Sequence, residues 1–374
     1  MASRTPPFRW TGESVEIIDQ TRLPAELVLL DIRTVDAAVD AIGRLAIRGA
    51  PALGAFGALA VVLGLDEAAP ADPAEARVVL ESLRTRIGDA RPTAVNLRWA
   101  TDRTIDRATD RATDRATDRA LARPAGSNPL DDPARAVADL RAALLAEAHA
   151  IAAEDAAACA EIGRLGRDLL ADAVVVGTHC NAGRLATAGI GTALAPVYAK
   201  ADAGEPVAVL AAETRPLFQG ARLTAWELAD AGIDVTVVPD GAMASLVTSG
   251  RVDAFMVGAD RIARNGDVAN KIGTLPHALA AAAAGVAFYV AAPTSTIDPT
   301  VRAGEDIGIE QRDPDEVHYA HGGERLTPPA AAAANPAFDI TPHHLVTAIV
   351  TEAGVLRPPY EESIAAALTA GARR

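Results

Sequence analysis

Lysine is almost missing from this sequence: it occurs only at Lys200 and Lys271, and arginine supplies the other 33 of the 35 basic residues. Aromatic residues make up 3% of the chain, so any interior must be built from Ala, Val, Leu and Ile. Two cysteines, Cys159 and Cys180, are too few for a disulfide framework and lack the spacing of a metal-binding cluster. Basic charge is also short: 49 acidic side chains against 35 basic ones leave a formal charge of −14. That balance argues against a nucleic-acid partner and against a polybasic membrane surface. It leaves room for a small anionic substrate, because a local group of arginines can override the average field. No run reaches the roughly 18 uninterrupted apolar residues of a membrane span. The opening "MASRTPPFRW" lacks the apolar segment of a secretory signal. A soluble protein in the reducing cytoplasm is expected.

What is present is length and rhythm. At 374 residues the chain exceeds one ordinary core, and half of it is hydrophobic, so two domains are expected. Two apolar runs flanking "DQTRLP" predict a β-hairpin near the start, followed by helical periodicity to about residue 150. Residues 101–120, "TDRTIDRATDRATDRATDRA", repeat every four residues. A four-residue period drifts around a helix of 3.6 residues per turn, so no fixed apolar face is expected there. This predicts a low-complexity insertion over 101–130, either a solvated helix laced with ion pairs or disordered.

The second half changes period. "AVVVGTHC", "VAVLAAE", "DVTVVPD", "DAFMVGAD" and "VAFYVAAP" are buried-strand candidates separated by helical segments. Strands alternating with helices predict βαβ units and a parallel, doubly wound sheet. The expected architecture is therefore α/β. Residues 1–150 form a mainly helical domain with a small antiparallel sheet, and residues 151–374 form a Rossmann-like catalytic domain.

In such a sheet the ligand crevice lies beyond the carboxyl ends of the strands. Each candidate strand ends there in polar groups: Thr178, His179 and Cys180; Glu213, Thr214 and Arg215; Pro239 and Asp240; Asp260 and Arg261; Thr294 and Ser295. Cys180 and Asp260 follow apolar runs directly, so partial burial is expected for both, with raised pKa values suited to acid–base work. The bland alternatives are an inert small thiol and a capping carboxylate. Cys159, on a helical face, reads as packing. No GxGxxG in register, no Walker-type lysine loop and no G-x-S-x-G elbow is present, which leaves nucleotide and serine-hydrolase readings unsupported. His343–His344 has no partner cluster, so no metal site is expected.

Six motifs occur in order: "IRGAPALG", "RPTAVNL", "GTHCNAGRLAT", "AAETRPLFQGARLTAWEL", "VDAFMVGADRIARNGDVANKIGT" and "NPAFDITP". Together they resemble the methylthioribose-1-phosphate isomerase family, whose fold is shared with regulatory subunits of the translation initiation factor 2 exchange factor. The resemblance spans nearly the whole chain except the repeat. It implies Asp260 as proton donor, Cys180 as its acid–base partner, and substrate contacts from Arg48, Gly49, Ala50, Arg91, Gln219, Asn270 and Lys271. It further implies a homodimer acting in methionine salvage on a phosphosugar held between the domains, with no metal and no organic cofactor. A neighbouring isomerase acting on 5-deoxyribose 1-phosphate or ribose 1,5-bisphosphate, and a non-catalytic scaffold like the translation-factor subunits, are the rival readings.

Overall fold

The computed structural model describes residues 5–91, 95–122 and 132–371, with side chains described up to 112 in the repeat and up to 369 at the end. The chain divides into two compact units. One comprises Pro6–Ala156 with Ala186–Ala188; the other comprises the rest, chiefly Ala157–Leu185 and Gly189 onward.

The first unit begins with an antiparallel sheet of β1 (Phe8–Trp10), β2 (Val15–Ile18) and β3 (Leu29–Ile32). The expected hairpin is β2–β3, paired from Ile18↔Leu29 to Val15↔Ile32. Helices α1 (Val35–Gly43), α2 (Ala50–Ala68), α3 (Pro73–Gly88) and α4 (Val95–Ala122) follow, and α5 (Pro133–Leu169) carries the chain across the unit boundary. By length and composition alone α2 could cross a membrane. It is instead the central core helix, buried continuously from Ala52 to Leu65. Glycine lets its neighbours come close: a Cβ on Gly57 would lie 2.4 Å from Leu97 Cδ1 of α4.

The repeat departs from expectation. Its described part is neither disordered nor without an apolar face, because Thr101, Thr104, Ile105 and Ala108 are all buried in this core. The four-residue period drifts by about 40° per repeat, so three repeats stay roughly within one wide helical stripe. Burial passes from one repeat position to the next, always onto a small or apolar residue. The threonines tolerate it by donating back along the helix, Thr101 to the Leu97 carbonyl (2.8 Å) and Thr104 to that of Ala100 (2.7 Å). On the flank of that stripe, Arg103 (2.8 Å), Arg107 (3.3 Å) and Arg111 (2.9 Å) converge on the fully buried carboxylate of Glu147 from α5. Residues 123–131, which include the end of the expected insertion, lie outside the described residues.

The second unit carries a seven-stranded sheet. Its strands are β4 (Val175–Thr178), β5 (Ala208–Ala212), β6 (Asp234–Val238), β7 (Ala254–Val257), β10 (Ala287–Ala291), β13 (Ala348–Thr351) and β14 (Gly354–Leu356). The order is β14-β13-β10-β7-β4-β5-β6, parallel except for the edge strand β14. All five strands read from sequence are present, in a doubly wound α/β arrangement. The chain builds outward from β4 through β5 to β6, then returns to the other side of β4 as β7. The topological switch point therefore lies between β4 and β7. Helices α6 (Ala195–Asp202), α7 (Ala225–Asp230), α8 (Asp240–Thr248) and α9 (Thr274–Ala284) fill the crossovers. A second sheet, β11-β8-β9-β12, comprises β8 (Arg261–Ala263), β9 (Val268–Lys271), β11 (Ile297–Asp298) and β12 (Phe338–Thr341). A short α10 (Asp315–His318) and a terminal α11 (Tyr360–Gly371) complete it.

Lys200 is structural. Its ammonium is buried and donates to the carbonyls of Leu170 (2.7 Å) and Ala171 (3.2 Å), just past the end of α5.

Candidate active site

Cys180 and Asp260 follow β4 and β7, the two strands that flank the switch point. In an open parallel sheet this is where a ligand crevice forms. The strands are pinned to each other there, since Thr178 Oγ1 donates to the Met256 carbonyl at 2.8 Å. Their following loops also touch: a Cβ on Gly258 would stand 2.8 Å from Ala182 Cβ. Asp260 donates its backbone N–H to the Ala269 carbonyl (2.9 Å), which places it across the β8–β9 pairing from Asn270 and Lys271. Asp260 thus lies beside Asn270 and Lys271 on the β8–β9 ladder, and Cys180 follows β4, the strand paired with β7.

Burial separates the two chemical residues. Cys180 is partly buried, as expected. Asp260 is exposed, contrary to expectation. The buried run ends at Gly258, and the chain then leaves the seven-stranded sheet for the β8–β9 ladder, carrying Asp260 outward. Cys159 is 1% exposed and part of the packing.

The β4 turn is held from several sides. His179 is fully buried, with Nε2 2.8 Å from the Ile272 carbonyl and Nδ1 3.1 Å from His277 Nε2. A carbonyl only accepts, so His179 Nε2 bears the proton and its Nδ1 accepts from His277. Burial holds both rings neutral, pushing His179 down to about 4 and His277 to about 3. Asp240 lies 4.0 Å from His179 Nδ1, and the three side chains could present ligand atoms to a metal within 4.8 Å of one another. Asp240 also accepts the backbone N–H groups of Thr214 (2.8 Å) and Arg215 (2.7 Å). The two histidines form a hydrogen-bonded brace between the Cys180 turn and the Lys271–Ile272 segment.

The remaining sequence-derived residues divide between the units. Gln219 is buried at the start of a π-helical turn, Gly220–Thr224, a feature common at functional sites. Its Oε1 has no hydrogen-bond partner among the described residues. Asn270 is buried and donates to Thr274 Oγ1 (3.0 Å). Lys271 donates to the Ala337 carbonyl (2.9 Å) and lies over the Phe338 ring. Asp339 caps α9 through the N–H groups of Gly273 and Leu275, and burial raises its pKa to about 6. Arg48, Gly49, Ala50 and Arg91 belong to the other unit. There Arg48 is buried, Gly49 sits at φ +92° before α2, and Ala50 opens that helix. Residues 92–94 of the "RPTAVN" motif lie outside the described residues. His343 Nδ1 pairs with Asp267 (2.7 Å).

Sequence reading missed Thr224, His277 and Asp339 as site components. The first and last lie inside quoted motifs, whereas His277, in the middle of a helical run, gave no signal.

The sequence and fold are similar to those of known proteins. Residues 46–358 match the initiation factor 2 subunit family. A 5-deoxyribose 1-phosphate isomerase of Moorella thermoacetica is 48% identical, with 98% of each chain covered. A methylthioribose-1-phosphate isomerase of Gemmatimonas aurantiaca is also 48% identical, with 95% of each covered. Among solved structures, the 5-methylthioribose 1-phosphate isomerase of Pyrococcus horikoshii OT3 superposes with a TM-score of 0.86 at 35% identity, covering 99% of this chain and 97% of that one. The delta subunit of translation initiation factor eIF-2B from A. fulgidus gives 0.83 at 39% identity, covering 97% and 99%. The chain belongs to the initiation factor 2 subunit family, and it shares nearly its full length with relatives described as sugar-phosphate isomerases.

Proposed function

We propose that this protein isomerises 5-methylthioribose 1-phosphate to 5-methylthioribulose 1-phosphate, with Asp260 and Cys180 as the acid–base pair. What supports this reading is a thiol and a carboxyl that follow the two strands flanking the switch point, the carboxyl beside Asn270 and Lys271. A scaffold has no need of that pair.

The substrate is a closed furanose whose anomeric carbon bears the phosphate, so it has no free aldehyde. Asp260 protonates the ring oxygen as the bond from that oxygen to C1 breaks. Hydrogen then moves from C2 to C1, and the proton of the C2 hydroxyl leaves to Cys180 as the ketone forms. Along the hydride route one proton is delivered and one removed; along an enediol route the C2 hydrogen also leaves as a proton to a base and returns to C1, so either route balances. The dianionic phosphate brought in by the substrate favours the protonated carboxyl, since a like charge nearby raises a carboxyl pKa. Arg48 and Arg91 bind that phosphate through charge-assisted hydrogen bonds, with Gly49, Ala50, Gln219, Asn270 and Lys271 as further contacts. The same reading makes the protein a cytoplasmic homodimer of methionine salvage.

A second reading, 5-deoxyribose 1-phosphate as substrate, is supported by the Moorella relative. An assay of purified protein with methylthioribose 1-phosphate, 5-deoxyribose 1-phosphate and ribose 1,5-bisphosphate side by side decides between them. The highest kcat/KM is expected for the first. A clear preference for either of the others reassigns the substrate, and no turnover of any overturns the reading.

A further inference from the structure

We infer that two buried threonines, Thr214 and Thr224, are positioning residues that clamp Cys180 in its reactive geometry; this rests on the acid–base reading of Cys180. Cys180 adopts φ +61°, a left-handed conformation uncommon outside glycine. A residue turned this way at the end of a strand cannot use the sheet's ladder for its own peptide groups, so they need other partners. Both come from hydroxyls. The Cys180 N–H donates to Thr214 Oγ1 at 2.8 Å, and the Cys180 carbonyl accepts from Thr224 Oγ1 at 2.6 Å. Both threonines are fully buried.

Each hydroxyl is fixed in direction. Thr214 Oγ1 donates to the Ala212 carbonyl (3.0 Å), which leaves a lone pair for Cys180. Thr224 Oγ1 accepts from Asn181 Nδ2 (3.1 Å) and donates to Cys180; that amide is also bonded to buried Glu227. Thr214 is itself left-handed, at φ +67°, unusual for a β-branched residue. Asp240 holds it there by accepting the N–H groups of Thr214 and Arg215. The ends of β4, β5 and β6 are thereby tied in sequence, by a hydroxyl and then a carboxylate. Left-handed residues of this kind persist only where their surroundings over-determine them, and they gather at functional sites. Two of them, bonded to each other beside the thiol, set where the sulfur stands.

The test substitutes Thr214→Val and Thr224→Val, which exchange hydroxyl for methyl at similar volume, alongside Thr214→Ser and Thr224→Ser. A displacement near 1 Å costs about 100-fold, so each valine variant is expected to lower kcat roughly 10- to 100-fold with KM little changed. Each is also expected to shift the pH profile of Cys180 alkylation by iodoacetamide, with Cys159 silent in the core. Serine restores both properties. If a valine variant does not fold, alanine at that position replaces it. Folded variants with wild-type kcat and an unchanged alkylation profile overturn the clamp, as does failure of serine to restore activity. Activity retained by Cys180→Ser sinks the acid–base reading instead, so the two failures are distinguishable.

Discussion

Glu147→Gln is the sharpest probe of the first unit, because one buried carboxylate there receives three arginines of the repeat. The amide keeps the shape of the side chain and loses its charge. Arg103 is only 12% exposed, but it retains Glu154 at 2.5 Å, so it is not left as an isolated buried cation. Its charge-assisted bond to Glu147 is worth about 2 kcal/mol. Arg107 and Arg111 are 55% and 45% exposed, and their pairs add about 0.5 kcal/mol each. The loss is then about 3 kcal/mol. At roughly 2–4 °C per kcal/mol for a unit of this size, its unfolding transition falls by about 6–12 °C. Differential scanning calorimetry reads this directly, with exposed Asp110→Ala as a control expected to shift by under about 2 °C. Equal shifts for the two variants would show that the repeat is a solvated appendage after all, and the convergence on Glu147 inconsequential.

Two further predictions concern buried groups. His179 and His277 titrate far below their unfolded value near 6.5, so the unfolded chain binds more protons between that pH and about 4. Stability from the pair is full above pH 6.5 and is lost on acidification towards 4; His277→Gln, which cannot titrate, should make the melting temperature fall less steeply over that window, leaving only the His179 part. Lys200→Met leaves the carbonyls of Leu170 and Ala171 unsatisfied and should cost about 1–3 kcal/mol by denaturant titration, with kcat unchanged.

The parts of the fold legible in the sequence were those with strong period. Five apolar runs between helical stretches mark β4, β5, β6, β7 and β10, and the strand-end rule points to Cys180 and Asp260. The three- and four-residue strands β8, β9 and β12 were too short to show a period, yet they carry Asn270 and Lys271 and turn Asp260 to the surface. The side of the chain to which a residue leads after a strand is set by that later pairing, so the exposure of Asp260 was not legible. The repeat misled for a related reason: drift around a helix removes a constant apolar position without removing an apolar stripe. The hydroxyl partners of Cys180 lie 34 and 44 residues away in sequence, and only the crossover brings them to it.

The central claim is that one thiol and one carboxyl perform the isomerisation. The direct measurement follows the conversion of methylthioribose 1-phosphate to ketose by NMR, using wild type, Cys180→Ser and Asp260→Asn at matched concentration and with matched melting curves. The account predicts turnover by wild type and a fall of about 100-fold or more in each variant. Near-wild-type turnover in both variants contradicts it.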